Sequence, residues 1–467
     1  MLFVEYRFLV FFIVVLGVYW ALRWNVARKI WLLATSYVFY AGWDWRFLGL
    51  IIASTLLDYT VAWRLSLPRT VHRRRWLMVS VVGQLTLLGF FKYCNFFVTS
   101  LRDFLHFLGV PFQLGTLEII LPVGISFYTF QTLSYTIDVY RGTLKGTKNL
   151  LDIALFVAFF PQLVAGPILR ARAFLPQLHE CRRYASVDVR GCLVIFLIGF
   201  VKKACISDNL APLVDVYFAS PQTYTALSSW IGVLAYAVQI YCDFSGYSDM
   251  AIGCAGLLGY RLMLNFDFPY LARNISEFWR RWHISLSSWL RDYLYYPMVW
   301  NRGGKYFVYR GLMVTMLLGG LWHGAAWNFV IWGGLHGVAL IFHREGVRLL
   351  ERLRWRATLL KGLGPFLTFY WVCIAWIFFR SVGAERSWTV LKAFVLFRSD
   401  GVRELNPAWL AVIGGLAIVH WLNYILHTEA MWRKVPRLAF AAAYGIVAAI
   451  VLAFVPTTYV PFIYFQF

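Results

Sequence analysis

The stretch "GLMVTMLLGGLWHGAAWNFVIWGGLHGVALIFH" (Gly311–His343) contains no Asp, Glu, Lys or Arg. Basic residues bracket it on both sides: Arg291, Arg302, Lys305 and Arg310 before it, and Arg344, Arg348, Arg352, Arg354 and Arg356 after it. In membrane proteins such residues collect on the cytoplasmic face, so both ends of the stretch read as cytoplasmic. A chain that starts and finishes on one face must enter and return. As one helix the 33 residues would measure about 50 Å, which suits two short legs better than one crossing of a core about 30 Å thick. The turn falls within "GGLWHGAAWNF" and places His323 roughly 18 Å along the axis from Gly311. Gly311–His343 is therefore predicted to be a re-entrant or hairpin segment that carries His323 near mid-membrane.

The rest of the chain supports a membrane setting. Of its 467 residues 60% are hydrophobic and only 14% charged, against about half and a quarter in ordinary soluble domains. Further uncharged runs occur at Phe8–Leu22, Trp76–Phe91, Ile119–Ile137, Val216–Cys242, Gly362–Phe379, Leu405–Thr428 and Leu438–Phe467. Several approach the ~20 residues that a spanning helix needs. The first lacks a basic leader and a small-residue cleavage site, so it reads as a span rather than a cleaved signal. The expectation is an all-α, polytopic integral membrane protein occupying residues 1–467 as a single domain. The net charge of +22 suits cytoplasmic loops meeting anionic headgroups, with membrane lipid as a partner. No soluble basic domain exists to bind nucleic acid. The seven cysteines form no CxxC pair, so neither a disulfide framework nor a metal site is indicated.

Charge places Arg28, Lys29, Arg64, Arg69, Arg73–Arg75, Arg141, Lys145, Lys148 and Arg170 on the cytoplasmic side. Ile153–Leu169 then has cytoplasmic flanks at both ends and holds Pro161 and Gly166-Pro167, which break helices. It is predicted to be re-entrant or interfacial, a backbone arrangement tolerated at depth only inside protein or beside a wet cavity. Arg261–Arg310 reads as an amphipathic segment on the cytoplasmic face. Within it, "FWRRWHISLSSWLRDYLYYP" (Phe278–Pro297) reads as an interfacial helix. Glu277 and Arg281 can pair four residues apart, Phe278, Trp282 and Trp289 form one stripe, and His283 shares a face with Trp279 and Ser287.

Ionisable groups inside apolar spans default to functional candidates. Among nine histidines, His72, His179 and His427 read as solvated, and His106, His343 and His420 as structural. His336 has glycine neighbours but little polar company. His323 stands apart. Gly319, Gly320, Gly324, Ala325 and Ala326 strip bulk from its surroundings, which permits close helix approach or leaves room for a bound chain. Trp322 and Trp327 could wall a passage, and Asn328 adds a polar group. A buried neutral imidazole is a suitable general base. His283 would sit at a cytoplasmic mouth with Trp279, Trp282, Arg280 and Arg281, the arginines suiting headgroups or an anionic ligand. A third cluster, "YCDFSGYSDMAIG" (Tyr241–Gly253), offers Asp243 and Asp249 either as active-site support or as coupling groups of a transporter. Cys242 beside Asp243 is a poor thiolate.

"FWRRWHISLSSWLRDYLYYP" followed by "GLWHG" resembles the membrane-bound O-acyltransferases. "LPVGISFYTFQTLSYTIDVYRG" (Leu121–Gly142), "FFPQLVAGPI" (Phe159–Ile168) and "YCDFSGYSDMAIG" narrow the resemblance to the bacterial branch that includes alginate O-acetyltransferases and teichoic-acid D-alanylation proteins. The resemblance implies about eleven spanning helices plus re-entrant and interfacial ones. It carries the catalytic histidine onto His323 and the second motif histidine onto His283. One departure is that Met298-Val299-Trp300 stands where relatives have a glycine-rich turn before Asn301-Arg302. The implied activity is transfer of an acyl group, acetyl foremost, from a cytoplasmic thioester such as acetyl-CoA to an exported polysaccharide at the inner membrane. No cofactor is implied beyond that donor substrate. The implied partners are a periplasmic SGNH-type acetyltransferase or polysaccharide-export proteins. Donation from an acyl or aminoacyl carrier protein to a cell-wall polymer is the alternative within the enzyme class, and a transporter using Asp243 and Asp249 the alternative outside it.

Overall fold

The structure, a computed structural model, describes residues 1, 3–68, 70–111, 115–164, 166–352, 358–426, 432–456 and 460–463. Arg69, Arg354, Arg356, His427 and the ends of the two C-terminal apolar runs lie outside the described residues. Helices account for nearly all the regular structure, and an isolated bridge between Tyr224 and Arg403 is the only β-pairing among the described residues. Four helical segments are long and apolar enough to span a bilayer: Asn25–Leu65, Arg73–Phe107, Gly362–Arg380 and Ala408–Leu426. Tyr6–Ala21 and Arg437–Leu452 are shorter apolar helices.

The chain forms two compact units, one of Met1–Cys192 with Ala251–Met263 and the other of Leu193–Met250 with Leu264–Phe467. In the first, the Ile125–Arg141 helix is the core element, with only three of its 17 residues not fully buried. Gln131, Ser134, Tyr135 and Thr136 on it find internal hydrogen-bond partners, as burial favours. Ser80 bridges Asp58 (2.6 Å) and Thr136 (2.9 Å), and Gln84 donates to the other Asp58 oxygen (2.9 Å). Ile153–Leu169 is broken as its prolines and glycine suggest, although the break falls at Phe159. Leu150–Ala158 and the short Phe160–Leu163 helix are separated there, and Pro161 sits in the first turn of the second, where its missing N–H costs nothing. Every described residue of the stretch is buried in protein. Arg28 and Lys29 depart from the loop positions expected of them. Both are buried within the Asn25–Asp44 helix; Lys29 meets Asp152 at 2.7 Å, and Arg28 donates to the Arg182 carbonyl.

In the second unit, Gly311–His343 turns back on itself. The Lys305–His323 and Trp327–Arg352 helices lie antiparallel, joined through Gly324-Ala325-Ala326. Glycines make the pairing close. A Cβ on Gly320 would sit 2.1 Å from the Phe329 carbonyl oxygen, and one on Gly333 would sit 2.2 Å from that of Met316. On Gly324 it would meet the Phe329 ring at 2.0 Å. The small residues around His323 thus serve backbone-to-backbone packing, and the room they leave is filled by Phe329 and the facing helix. Val216–Cys242, read as one run, is interrupted at Ser220 between the Asp208–Ala219 and Ala226–Leu257 helices.

Because no side chain fits between these two backbones, Gly333→Val should remove folded protein altogether or lower its stability by more than the ~1–3 kcal/mol typical of overpacking. Gly334→Ala, whose Cβ would touch only a Leu317 methyl at 3.6 Å, should be tolerated. Melting curves and size-exclusion profiles of the two purified variants check this pair, and equal stability would contradict it.

Candidate active site

His323 ends the Lys305–His323 helix, at the tip of the hairpin, and is 3% exposed. Its imidazole stands edge-on to Trp332 (centroids 4.9 Å), Trp322 (5.1 Å) and Phe379 (5.3 Å). The His283 ring lies 6.5 Å away. The two histidines separated by 40 positions in the chain are therefore neighbours, close enough for one reacting centre to touch both.

The path to His283 is not the continuous helix expected. Phe278–Pro297 is broken into Ile275–Arg281 and Ile284–Leu290, with Trp282 between them and His283 in the left-handed region at φ 42°. A non-glycine residue pays for that conformation, and the break reorients the ring. His283 is fully buried, against Phe244 (4.6 Å) and Trp322 (6.0 Å), and no longer shares a face with Trp279. The aromatic stripe is likewise interior. Trp282 packs on Phe266 and Trp376 at 5.0 Å each, and Trp289 is buried. Residues 264–290 form short helices and extended chain with Asn265, Phe266, Ala272 and Phe278 buried, whereas 300–306 are exposed.

A polar cradle fixes the His283 ring. Asn265 Oδ1 accepts from the Ser285 backbone N–H (3.2 Å) and hydroxyl (2.8 Å), while its Nδ2 donates to Ser248 (3.0 Å). The backbone donor settles which amide atom is the oxygen. That oxygen can only accept, so His283 Nδ1, 3.2 Å away, carries the proton and Nε2 is the basic nitrogen of the neutral ring. Sequence reasoning missed Asn265, Ser285 and Ser248. The local signal for Asn265 was no more than its place beside Asp267 inside "LNFDFP".

The remaining expected residues divide. Trp322 touches both histidine rings. Trp279 packs on Trp332 (5.7 Å) and on His336 (5.0 Å), and Trp332 also touches His336 (4.8 Å). His336 is completely buried, and neither of its nitrogens has a hydrogen-bond partner among the described residues; the same holds for the Trp279 and Trp332 indole N–H groups. Four polar atoms on three touching rings are thus without partners among the described residues. Arg281 pairs with Glu277 at 2.9 Å, as the spacing suggested, and donates to the Asp267 carbonyl. Arg280 is exposed and reaches Ser276. Asn328 is engaged elsewhere: its amide nitrogen holds the Ser381 carbonyl (2.5 Å) and Ser387 (3.0 Å), bracing the second leg of the hairpin.

Asp243 is also committed. Gly199 and Gly246 bring the Val189–Phe200 and Ala226–Leu257 helices so close that a Cβ on either would clash with the other's carbonyl. The following π-helical turn, Val201–Ser207, sets Lys202 and Lys203 against the acidic residues. Lys203 meets Asp243 (2.7 Å) and Asp208 (2.6 Å), Lys202 meets Asp249 (2.7 Å), and Asp243 also accepts from the Ile463 N–H. The two carboxylates weighed as transport groups are thus neutralised by neighbouring lysines that the sequence reading passed over. Among the described residues no group of three or more metal-ligating side chains occurs.

This architecture is that of an acyltransferase: the chain belongs to the membrane-bound O-acyltransferase family, whose profile matches residues 144–382. It is an O-acyltransferase and a multi-pass membrane protein. It is 46% identical over 403 residues to the probable alginate O-acetylase AlgI of Pseudomonas aeruginosa, covering 85% of this chain and 75% of that protein. It is 38% identical over 435 residues to the peptidoglycan O-acetyltransferase of Helicobacter pylori, covering 86% and 81%. The teichoic acid D-alanyltransferase of Bacillus subtilis is 29% identical over 271 residues, covering 55% and 68%.

Asn265→Ala should lower turnover about 10- to 100-fold, the usual cost of losing a group that orients a functional histidine. Asn265→Asp, which keeps an acceptor at Nδ1, should retain more. Steady-state kinetics on detergent-purified protein of matched melting temperature checks the order, and an alanine variant as active as wild type would contradict the cradle. Separately, Lys203→Met leaves two buried carboxylates without their cation and should cost about 3–5 kcal/mol, read as a lowered melting temperature; an unchanged melt would contradict the clamp.

Proposed function

We propose that the protein moves an acetyl group from a cytoplasmic thioester such as acetyl-CoA across the inner membrane to a hydroxyl of an exported polysaccharide such as alginate. Transfer is direct or through a periplasmic SGNH-type acetyltransferase. The observation that carries the reading is the buried meeting of His323 and His283 at the tip of the hairpin. A thioester donor is charged and confined to the cytoplasm, and an exported polymer is confined outside, so a reaction centre at depth serves both.

In this reading His323, buried among aromatic rings, takes the proton of the acceptor hydroxyl. The hydroxyl oxygen attacks the thioester carbonyl. A C–O bond forms, the C–S bond breaks, and the proton passes to the departing thiolate. His283, held as its Nδ1–H tautomer, orients or hydrogen-bonds the donor through Nε2. The unpaired indole N–H groups of Trp279 and Trp332 and the ring of His336 suit the carbonyl and amide groups of the donor's arm. Direct attack needs no covalent acyl-histidine.

The likeness to a protein named teichoic acid D-alanyltransferase favours one second reading, in which an acyl or aminoacyl carrier protein is the donor and a cell-wall polymer the acceptor. Supplying purified protein in vesicles with labelled acetyl-CoA or with a labelled carrier-protein thioester separates the two.

His323→Ala should abolish polymer acetylation while the protein still inserts and purifies normally. His283→Ala should cost about 10- to 100-fold. Acetyl content of polymer from cells carrying each variant as sole copy checks both; retained acetylation with His323→Ala would overturn the assignment.

A further inference from the structure

We propose that the first unit binds an anionic diacyl phospholipid in a groove beside the start of the Arg73–Leu88 helix. The groove has a volume of about 830 Å³. Leu57 of the Leu48–Leu65 helix and Met78, Val79 and Val82 of the Arg73–Leu88 helix form its apolar length, and His72, Arg74 and Arg75 stand at one end. A second groove of about 260 Å³ adjoins it, sharing His72, Arg75 and Val79 and adding Val71 and Trp76. Among the described residues no acidic side chain lines either groove.

Two adjoining grooves that share His72 and Arg75 suit a diacyl lipid, one phosphate with two chains. Charge complementarity selects the headgroup. The three consecutive arginines are not equivalent. Arg73 turns inward and caps the Leu65 carbonyl (2.7 Å) and the Tyr140 carbonyl (3.1 Å). Arg74 and Arg75 are exposed, and neither has an ion-pair or hydrogen-bond partner among the described residues. Two guanidiniums over an apolar trough leave a concentrated positive charge that a headgroup of net negative charge complements, whereas a zwitterionic headgroup brings its own cation beside the same phosphate. His72 takes up the left-handed conformation, φ 61°, unusual for a residue other than glycine. The turn brings it to the mouth shared by both grooves. The apolar residues Met78, Val79 and Val82 are about half exposed, so acyl chains can reach them from the bilayer without any element moving.

Native mass spectrometry of the detergent-purified full chain, titrated with phosphatidylglycerol and with phosphatidylcholine, tests this directly. Phosphatidylglycerol should bind preferentially at one tight site and raise the melting temperature. Arg74→Gln with Arg75→Gln should weaken it about 30-fold, the loss expected for two arginines near an anionic surface. Val82→Trp, which fills the trough and leaves the charges in place, should also lower occupancy. Equal affinity for the two lipids, wild-type binding by the double-glutamine variant, or no effect of Val82→Trp would each overturn the proposal. Should a variant fail to fold, competition between the two lipids on the wild-type protein decides the matter alone.

Discussion

The approach of two backbones, allowed because Gly320 and Gly333 lack side chains, is the constraint on which the site depends. It holds Lys305–His323 and Trp327–Arg352 together as one hairpin, and the reversal at residues 324–326 follows from it. Helix association in a bilayer has little hydrophobic driving force, so close van der Waals contact between small residues must supply it. His323, last residue of the first leg, is thereby fixed against the second leg through Trp332 and against Phe379. A histidine on a loop would lack that support. Productive geometry tolerates little misplacement, so the packing of glycines a full turn away bears on the chemistry.

The opposite wall is held by polar rather than steric means. Asn265 gathers Ser248, Ser285 and His283 into one hydrogen-bonded group. Ser248 lies on the Ala226–Leu257 helix, the same element that Lys202 and Lys203 grip through Asp249 and Asp243. A buried ion pair, a part-buried one and an amide cradle thus brace a single helix from which Phe244 meets the His283 ring. Buried polar networks of this kind rigidify their surroundings. The unpaired atoms of Trp279, Trp332 and His336 are the contrast; Trp332 links that group of rings to His323.

Much of this could be read from the sequence because charge and glycine patterns are local. The uncharged stretch with arginines at both ends foretold two legs, and the pairing of Glu277 with Arg281 needed only the helical period. The break at His283 was not legible. A left-handed residue other than glycine carries no signature of its own, and tertiary packing of Trp282 and Phe266 imposes it. Asn265 looked like any polar residue in a loop until the chain brought it beside a residue 18 positions later. Arg28 and Lys29 misled because a lysine paired inside a helix bundle reads, in one dimension, as a lysine in a loop. Lys202 and Lys203 were passed over for the same reason: their worth lies in the aspartates that a close helix crossing sets opposite them.

The central claim is that His323 is carried into the membrane on a hairpin whose two legs begin and end on one face. Single cysteines at Tyr306 and Leu349, both exposed, placed in a chain lacking the seven native cysteines, test it most directly with an impermeant thiol reagent. The account predicts that both are shielded in intact spheroplasts and that both are labelled in inverted vesicles. Labelling of the two positions from opposite faces would make Gly311–His343 a single crossing and contradict it.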